Sequence, residues 1–341
     1  MVVTTPLLVW GAGAIGGTIG ACLVRAGHDV TFVDIVEEHV AAIATTGLEI
    51  EGPIDVFRVT GPAVTPDGLS GRYDRALLCV KGQHTGEAVR SLAPFLADDG
   101  CAVSVQNGLN EPAMAAVLGQ ERVIGCFVNF GADYLAPGRI HFGGRGAVML
   151  GELDGEITPR LRALLDLFRD FDSDAQATRN IWGYLWGKLG YGALLFATAL
   201  GNESISDALA EPAHGTLYRA LGEEVMHVAR AGGIAPQGFN GFDPAGFVPG
   251  ADPAAAERSM ATMVDHNRGS AKTHTGVWRD LAIRKRPTEV EPMIGAVVRE
   301  AAAHGIETPL LARLTAMIHE IEEGRRPLDR ANLDELAAQV A

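Results

Sequence analysis

The sequence predicts an α/β protein with a doubly wound parallel sheet in its first half and an all-helical second half. Three observations carry that prediction. Continuous apolar runs alternate with helical stretches up to about residue 150, a G-x-G-x-x-G segment follows the first run, and from Thr158 onward the apolar spacing is helical. With 341 residues the chain has the length of about two domains. They are expected at 1–175 and 176–341, with the boundary near Asp172–Asn180.

Taken in order, Leu7–Trp10 is a short apolar run that leads into Gly11-Ala12-Gly13-Ala14-Ile15-Gly16 and a helical pattern to Arg25. Gly27 ends that helix, and Val30–Asp34 reads as the next strand. Glu37–Thr45 is helical in pattern, while Leu48–Glu51 and Val56–Val59 are β-rich. Ala76–Val80 and Ala102–Val105 are apolar throughout, as in strands covered on both faces of a parallel sheet. Helical segments near Thr85–Leu96 and Glu111–Leu118 alternate with them. The Gly-rich, β-prone stretch Val123–Leu150 is expected to supply the last strands of the same sheet. Helices follow at Leu161–Phe171, Trp182–Leu200, Leu217–Ala231, Glu257–His266, Glu291–Ala303 and Leu310–Glu323, with no strand expected among them. The Gly-, Pro- and Phe-rich stretch Gly233–Pro253 is long for a connection, and reads as a lid-like loop or a mobile surface insertion.

Composition removes several classes of function. Lys and Arg total 28 against 42 Asp and Glu, a net charge of −14 with no basic stripe, which argues against nucleic acid as a partner. The longest uncharged apolar run, Leu189–Gly201, falls short of the ~20 residues a bilayer crossing needs. No basic, cleavable leader precedes the glycine segment. Cys22, Cys79, Cys101 and Cys126 are widely spaced, as in reduced thiols of a cytoplasmic protein. No His/Cys/Asp cluster has metal-ligand spacing, and no G-x-S-x-G nucleophile motif occurs.

The glycine segment has the context that gives it meaning: a strand before it, a helix after it, and Asp34 at the end of the second strand. Gly11 permits the tight turn, Gly13 lets the backbone approach a pyrophosphate, and Gly16 lets the helix pack on the sheet. Ala12, Ala14 and Ile15 complete the cradle, whose helix N-terminus offers N–H groups and a positive dipole end. A carboxylate at Asp34 accepts from a ribose 2′-hydroxyl and repels a 2′-phosphate, and Ile35 and Val36 supply no arginine to hold that phosphate. NAD(H) is therefore favoured over NADP(H).

With these residues, the chain resembles the ketopantoate reductase (2-dehydropantoate 2-reductase) family over nearly its whole length. The matching pieces are Gly11–Gly16, Cys79-Val80-Lys81, Gln106-Asn107-Gly108, Trp186-Gly187-Lys188-Leu189 and Thr288-Glu289-Val290-Glu291, in order and spacing. The resemblance implies a Rossmann-type N-terminal domain, a helical C-terminal domain and an active site in the cleft between them. It also implies reduction of a 2-keto acid by hydride transfer from a nicotinamide, and it keeps NADP(H) as the alternative cofactor. Lys188 matches the family's catalytic lysine, whose ammonium stabilises and protonates the developing alkoxide. It stands in an otherwise apolar stretch, where a lysine is costly unless paired or used. Glu289 matches the acidic residue that contacts substrate. Lys81 is placed by the resemblance near cofactor and substrate, and Asn107 beside the nicotinamide and substrate.

Departures from the family bear on the substrate. The asparagines expected one and two turns after the lysine fall at Gly192 and Phe196, and the expected serine falls at Gly276, beside Thr275. Loss of these polar groups implies a reshaped, more apolar pocket. A D-2-hydroxy acid or β-hydroxyacid dehydrogenase is the alternative enzyme, and a non-catalytic NAD-sensing protein is disfavoured by retention of Lys188 and Glu289. A homodimer through the helical half is compatible with its amphipathic helices. Arg279, Arg284, Lys285 and Arg286 read as a solvated helix end, Trp182 and Trp186 as packing residues, and His274 has no evident partner.

Overall fold

The computed structural model describes residues 6–269 and 273–340. The first five residues, part of the stretch read for a leader, lie outside the described residues. The chain divides into two compact units, Met1–Ile181 and Trp182–Ala341.

The first unit contains the strands β1 (Leu7–Trp10), β2 (Val30–Val33), β3 (Leu48–Glu51), β4 (Phe57–Val59), β5 (Ala63–Val64) and β6 (Tyr73–Leu78). Then come β7 (Leu96–Ser104), β8 (Val123–Val128), β9 (Gly131–Ala136), β10 (Arg139–Gly144), β11 (Val148–Glu152) and β12 (Gln176–Ala177). Its helices are α1 (Ala14–Arg25), α2 (Glu37–Thr45), α3 (Thr85–Leu92), α4 (Glu111–Leu118) and α5 (Pro159–Arg169). Eight strands form one sheet in the order β12-β11-β8-β7-β6-β1-β2-β5. All its pairings are parallel except β8 with β11. Strands β1, β2 and β8 are buried at every residue, which is why their sequences are continuous apolar runs.

Two expectations about strands need correction. Only β8 and β11 of the Val123–Leu150 stretch join the main sheet, whereas β9 and β10 form a second sheet, β4-β3-β10-β9. The reason is visible in the burial. In β3 only Leu48 and Ile50 are buried, and in β10 only Ile140 and Phe142, so these strands have one covered face and cannot lie inside a doubly covered sheet. Beyond Thr158 there is also a strand, the two-residue β12, which pairs with Met149 and Leu150 of β11.

Helix α1 lies between the two sheets because three of its glycines leave room for both. A side chain on Gly16 would begin 2.8 Å from Cys79 Cβ, one on Gly20 2.4 Å from Phe32 of β2, and one on Gly17 2.4 Å from Ile140 of β10.

The second unit is built from α6 (Ile181–Thr198), α7 (Ile205–Ala210), α8 (Gly215–Ala231), α9 (Pro253–Arg268) and α10 (Gly276–Arg279). It continues with α11 (Ala296–Ala303), α12 (Pro309–Glu322) and α13 (Ala331–Ala337). π-Helical turns occupy Asp280–Arg284 and Glu291–Gly295. Helix α6 is buried on nearly every side, as its almost unbroken apolar sequence requires.

The stretch Gly233–Pro253 is packed onto the second unit and is not a loose insertion. Gln237 N donates to the Gly183 carbonyl of α6 at 2.8 Å, and Phe239, Phe242 and Phe247 are buried. Tyr191 of α6 packs edge-on against Phe239 and Phe242, with ring centroids 5.3 and 6.0 Å apart. Burial of a phenylalanine stabilises by about 1.5–3 kcal/mol, so three of them hold this segment down firmly. No helix among the described residues is long and apolar enough to cross a membrane.

Candidate functional site

The carboxyl ends of β7, β6, β1 and β2 lie side by side, and the loops that leave them carry Asn107, Lys81, the glycine segment and Asp34. The ladder continues one residue past three of those strands: Gly11 N donates to the Val33 carbonyl, Cys79 N to Trp10, and Val105 N to Leu78, at 2.8–2.9 Å. The loop bases are thus fixed by the sheet itself.

In the glycine segment each position meets a different surrounding. Gly11 has φ +96°, and a Cβ there would lie 2.9 Å from Val80 N, so no other residue type fits. A Cβ on Gly16 would lie 2.1 Å from the Gly11 carbonyl oxygen. Gly13 has nothing within 4 Å of its Cβ position, so its outer side is open to a ligand. It also occupies the N-cap of α1 without a capping side-chain hydrogen bond, and the first turn that follows, from Ala14, contains no acidic residue.

Asp34 does two things at once. Its Oδ2 accepts from Ala12 N at 2.9 Å and its Oδ1 from Val36 N at 3.0 Å, which fixes the carboxylate at the end of β2. The adjoining Ile35 and Val36 are 79% and 43% exposed, an apolar surface beside the carboxylate.

Lys81 and Asn107 are half-buried at the ends of neighbouring strands. A buried polar chain ties their loops together. Gln106 Nε2 donates to the Val80 carbonyl and to Thr85 Oγ1, both at 2.8 Å. Thr85 Oγ1 lies 2.8 Å from the Gly82 carbonyl and 2.9 Å from Asn110 Oδ1, one of which takes its proton. Asn110 Nδ2 donates to the Asn107 carbonyl at 2.7 Å. Glu111 follows, fully buried, accepting from Asn110 N at 3.1 Å, and burial pushes its carboxyl up to about 7. Sequence alone does not mark Thr85, Asn110 and Glu111, because polar residues at a helix start look like ordinary caps.

In the second unit, Lys188 is half-buried on α6, one residue after Gly187, whose Cβ position lies 2.1 Å from the Gln237 carbonyl oxygen. The Gly233–Pro253 segment therefore rests directly against the turn that carries the lysine. Gly192 lies one turn further on, and Met293 Cε stands 3.1 Å from where its Cβ would be. Phe196 is a core residue at 1% exposure, so it fills space rather than presenting a polar face.

Glu289 is half-buried between the two π-helical turns, and its carbonyl accepts from Met293 N at 3.2 Å. Such turns are uncommon and often accompany functional positions. The preceding Thr288 is anchored: its N–H donates to Glu322 Oε1 at 2.6 Å and its hydroxyl accepts from Val290 N at 3.2 Å. Thr275 caps α10, its Oγ1 accepting from Trp278 N at 2.9 Å, while Gly276 faces open space.

The signals discounted from sequence have structural partners. Arg284 and Arg286 both pair with buried Asp280, at 3.1 and 2.8 Å. His274 contacts Thr273 Oγ1 at 2.9 Å and lies against the Trp278 ring. Trp186 is buried.

Two family models match the chain: Ketopantoate reductase PanE/ApbA over residues 7–155 and its C-terminal counterpart over residues 180–322. A 2-dehydropantoate 2-reductase of Archaeoglobus fulgidus is 27% identical over 318 residues, covering 93% of this chain and 97% of the relative. Among solved structures, a PanE/ApbA family ketopantoate reductase from Ralstonia eutropha JMP134 superimposes with TM-score 0.78 at 27% identity, over 94% of this chain and 99% of that one. A D-mandelate dehydrogenase solved with NADH and anilino(oxo)acetate has TM-score 0.82 at 19% identity over the same shares, a likeness of fold.

Proposed function

Because the chain belongs to the ketopantoate reductase family, we propose that it reduces a 2-keto acid with NADH, held by the first unit, and protonates the product from Lys188 of the second. It is a nicotinamide-dependent oxidoreductase that acts on a keto group. The observation that carries the finer reading is the glycine cradle closed by Asp34, with open space at Gly13 and a fixed carboxylate 2.9 Å from Ala12 N.

These residues fit a dinucleotide. The α1 N-terminus and the Gly13 backbone would hold the pyrophosphate, and Asp34 the adenosine ribose, with Ile35 and Val36 as the apolar surface beside it. When bound, the nicotinamide supplies a hydride to the keto carbon. Lys188 gives a proton from its ammonium to the oxygen that gains the carbonyl electron pair, and takes one back from water. Before that transfer its charge stabilises the oxygen as negative charge builds there. Asn107 and Lys81 orient the substrate at the ends of β7 and β6, and Glu289 fixes it from the second unit. The same residues run in reverse as a 2-hydroxy acid dehydrogenase.

Met293 in the space beside Gly192, together with buried Phe196, supports a substrate with fewer hydroxyls than ketopantoate. The test is consumption of NADH and of NADPH with ketopantoate and a panel of aliphatic and aromatic 2-keto acids. We expect NADH to be preferred by about tenfold or more in kcat/KM, the equivalent of one well-placed charge interaction. Preference for NADPH would overturn the assignment of Asp34, and a clear preference for ketopantoate would overturn the reshaped pocket.

A further inference from the structure

We propose that His39 is a positioning residue for the dinucleotide cradle, fixing the Ala12 carbonyl so that the next amide faces the cofactor. This rests on the reading of Gly11–Gly16 as the cofactor site. His39 belongs to α2, is fully buried, and reaches back to the glycine segment: its Nε2 lies 2.8 Å from the Ala12 carbonyl oxygen. Its Nδ1 lies 2.9 Å from Gly138 N, in the turn between β9 and β10. A backbone N–H can only donate, so Nδ1 accepts and the ring proton sits on Nε2, which donates to Ala12. The ring is held further by Tyr134 of β9, edge-on with centroids 5.0 Å apart.

The consequence for the cradle follows from peptide geometry. Ala12 stands between two glycines, neither of which has a side chain to pin the backbone, so its conformation must be set from outside. Asp34 holds its N–H at 2.9 Å and His39 its carbonyl at 2.8 Å, so the residue is gripped at both ends. Among the described residues there is no cis peptide, and in a trans peptide the C=O and the following N–H point opposite ways. Directing the Ala12 carbonyl to His39 therefore directs the Gly13 N–H away from α2. The second sheet then has a function in this unit: through Gly138 and Tyr134 it braces the imidazole that aims the cradle.

Two isosteric variants separate this role from simple packing. His39→Gln retains an N–H donor at the reach of Nε2, while His39→Asn retains only an acceptor at the reach of Nδ1. In the full chain, NADH affinity by fluorescence titration and steady-state kinetics are measured beside the melting temperature. For His39→Asn we expect Kd and KM for NADH to rise about tenfold, with kcat and KM for the keto acid within about twofold of wild type. His39→Gln should stay within about threefold of wild type in NADH affinity, the loss of one neutral hydrogen bond far from the ligand. Wild-type affinity in folded His39→Asn, or equal losses in both variants, would overturn the proposal. Should either variant fail to fold, long-range proton–nitrogen spectra of the wild-type histidine rings decide instead. An Nε2–H tautomer whose signal shifts on NADH addition is the expected result, and an Nδ1–H tautomer or an unmoved signal overturns it. A wild-type chain that binds neither NADH nor NADPH would overturn the cofactor reading itself, a separate failure that takes this proposal with it.

Discussion

The same substitution, glycine to alanine, meets opposite surroundings at Gly13 and Gly16. At Gly13 the new methyl enters open space, so Gly13→Ala should melt as wild type does yet bind NADH about tenfold more weakly, by occupying the pyrophosphate's approach. At Gly16 it would press on the Gly11 carbonyl at 2.1 Å, so Gly16→Ala should lose both NADH binding and about 1–3 kcal/mol of stability. Paired calorimetry and NADH titration of the two variants check this, and equal stability losses would contradict the assignment of Gly13 as the open position. Asp34→Asn keeps the shape of the side chain and removes its charge. It should narrow the ratio of kcat/KM between NADH and NADPH by about tenfold, read from initial rates with each cofactor. Motif residues of this kind are legible in sequence because each answers to a local constraint: a positive φ at Gly11, a close contact at Gly16, a strand end at Asp34. His39 is legible only in part. Its spacing from Ile43 places both on the buried face of α2, but nothing in the sequence names Ala12 and Gly138 as its partners.

Helix α6 shows how an element can be read correctly while its surroundings are not. Its apolar sequence marks a central helix, but Gly183 and Gly187 on one side signal something more, a face against which backbone is laid. The segment laid there is Gly233–Pro253, whose Gly and Pro content resembles that of a mobile loop while its three phenylalanines do the packing. Composition cannot distinguish a loop that is loose from one that is packed, because the deciding contacts are with residues far away in sequence. The second sheet hid for the same reason, since its strands come from residues 48–59 and 131–144. Substitutions along α6 test the packing. Gly187→Ala places a methyl 2.1 Å from a backbone oxygen of Gln237, which cannot swing aside. Gly190→Ala meets first the flexible end of Met226. Gly187→Ala should therefore destabilise by about 1–3 kcal/mol and lower kcat through its neighbour Lys188, while Gly190→Ala costs less in both. Melting curves and turnover of the two variants, measured together, give the comparison.

Across the whole molecule, the change from strand-and-helix alternation to helix alone was legible because the period of apolar residues changes, a property of long stretches that single contacts do not disturb. Stability of the whole carries a titratable signature from Glu111. Burial raises its carboxyl from the ordinary 4.5 to about 7, so the folded chain keeps a proton there that the unfolded chain has released. That contribution is complete below the ordinary carboxylate pKa and is lost as pH climbs through the folded value. Glu111→Gln should abolish the decline, melting above wild type at about pH 8 and close to it at about pH 4, and parallel pH profiles would contradict it. The proposed function assigns the cofactor to residues of the first unit and the proton donor to Lys188. The most direct test is Lys188→Ala, assayed for NADH binding and for NADH-dependent reduction of the best keto acid. The expected result is NADH affinity within about twofold of wild type and turnover lower by a factor of about 10²–10⁴, the usual contribution of a positioned general acid. Turnover equal to wild type would contradict it.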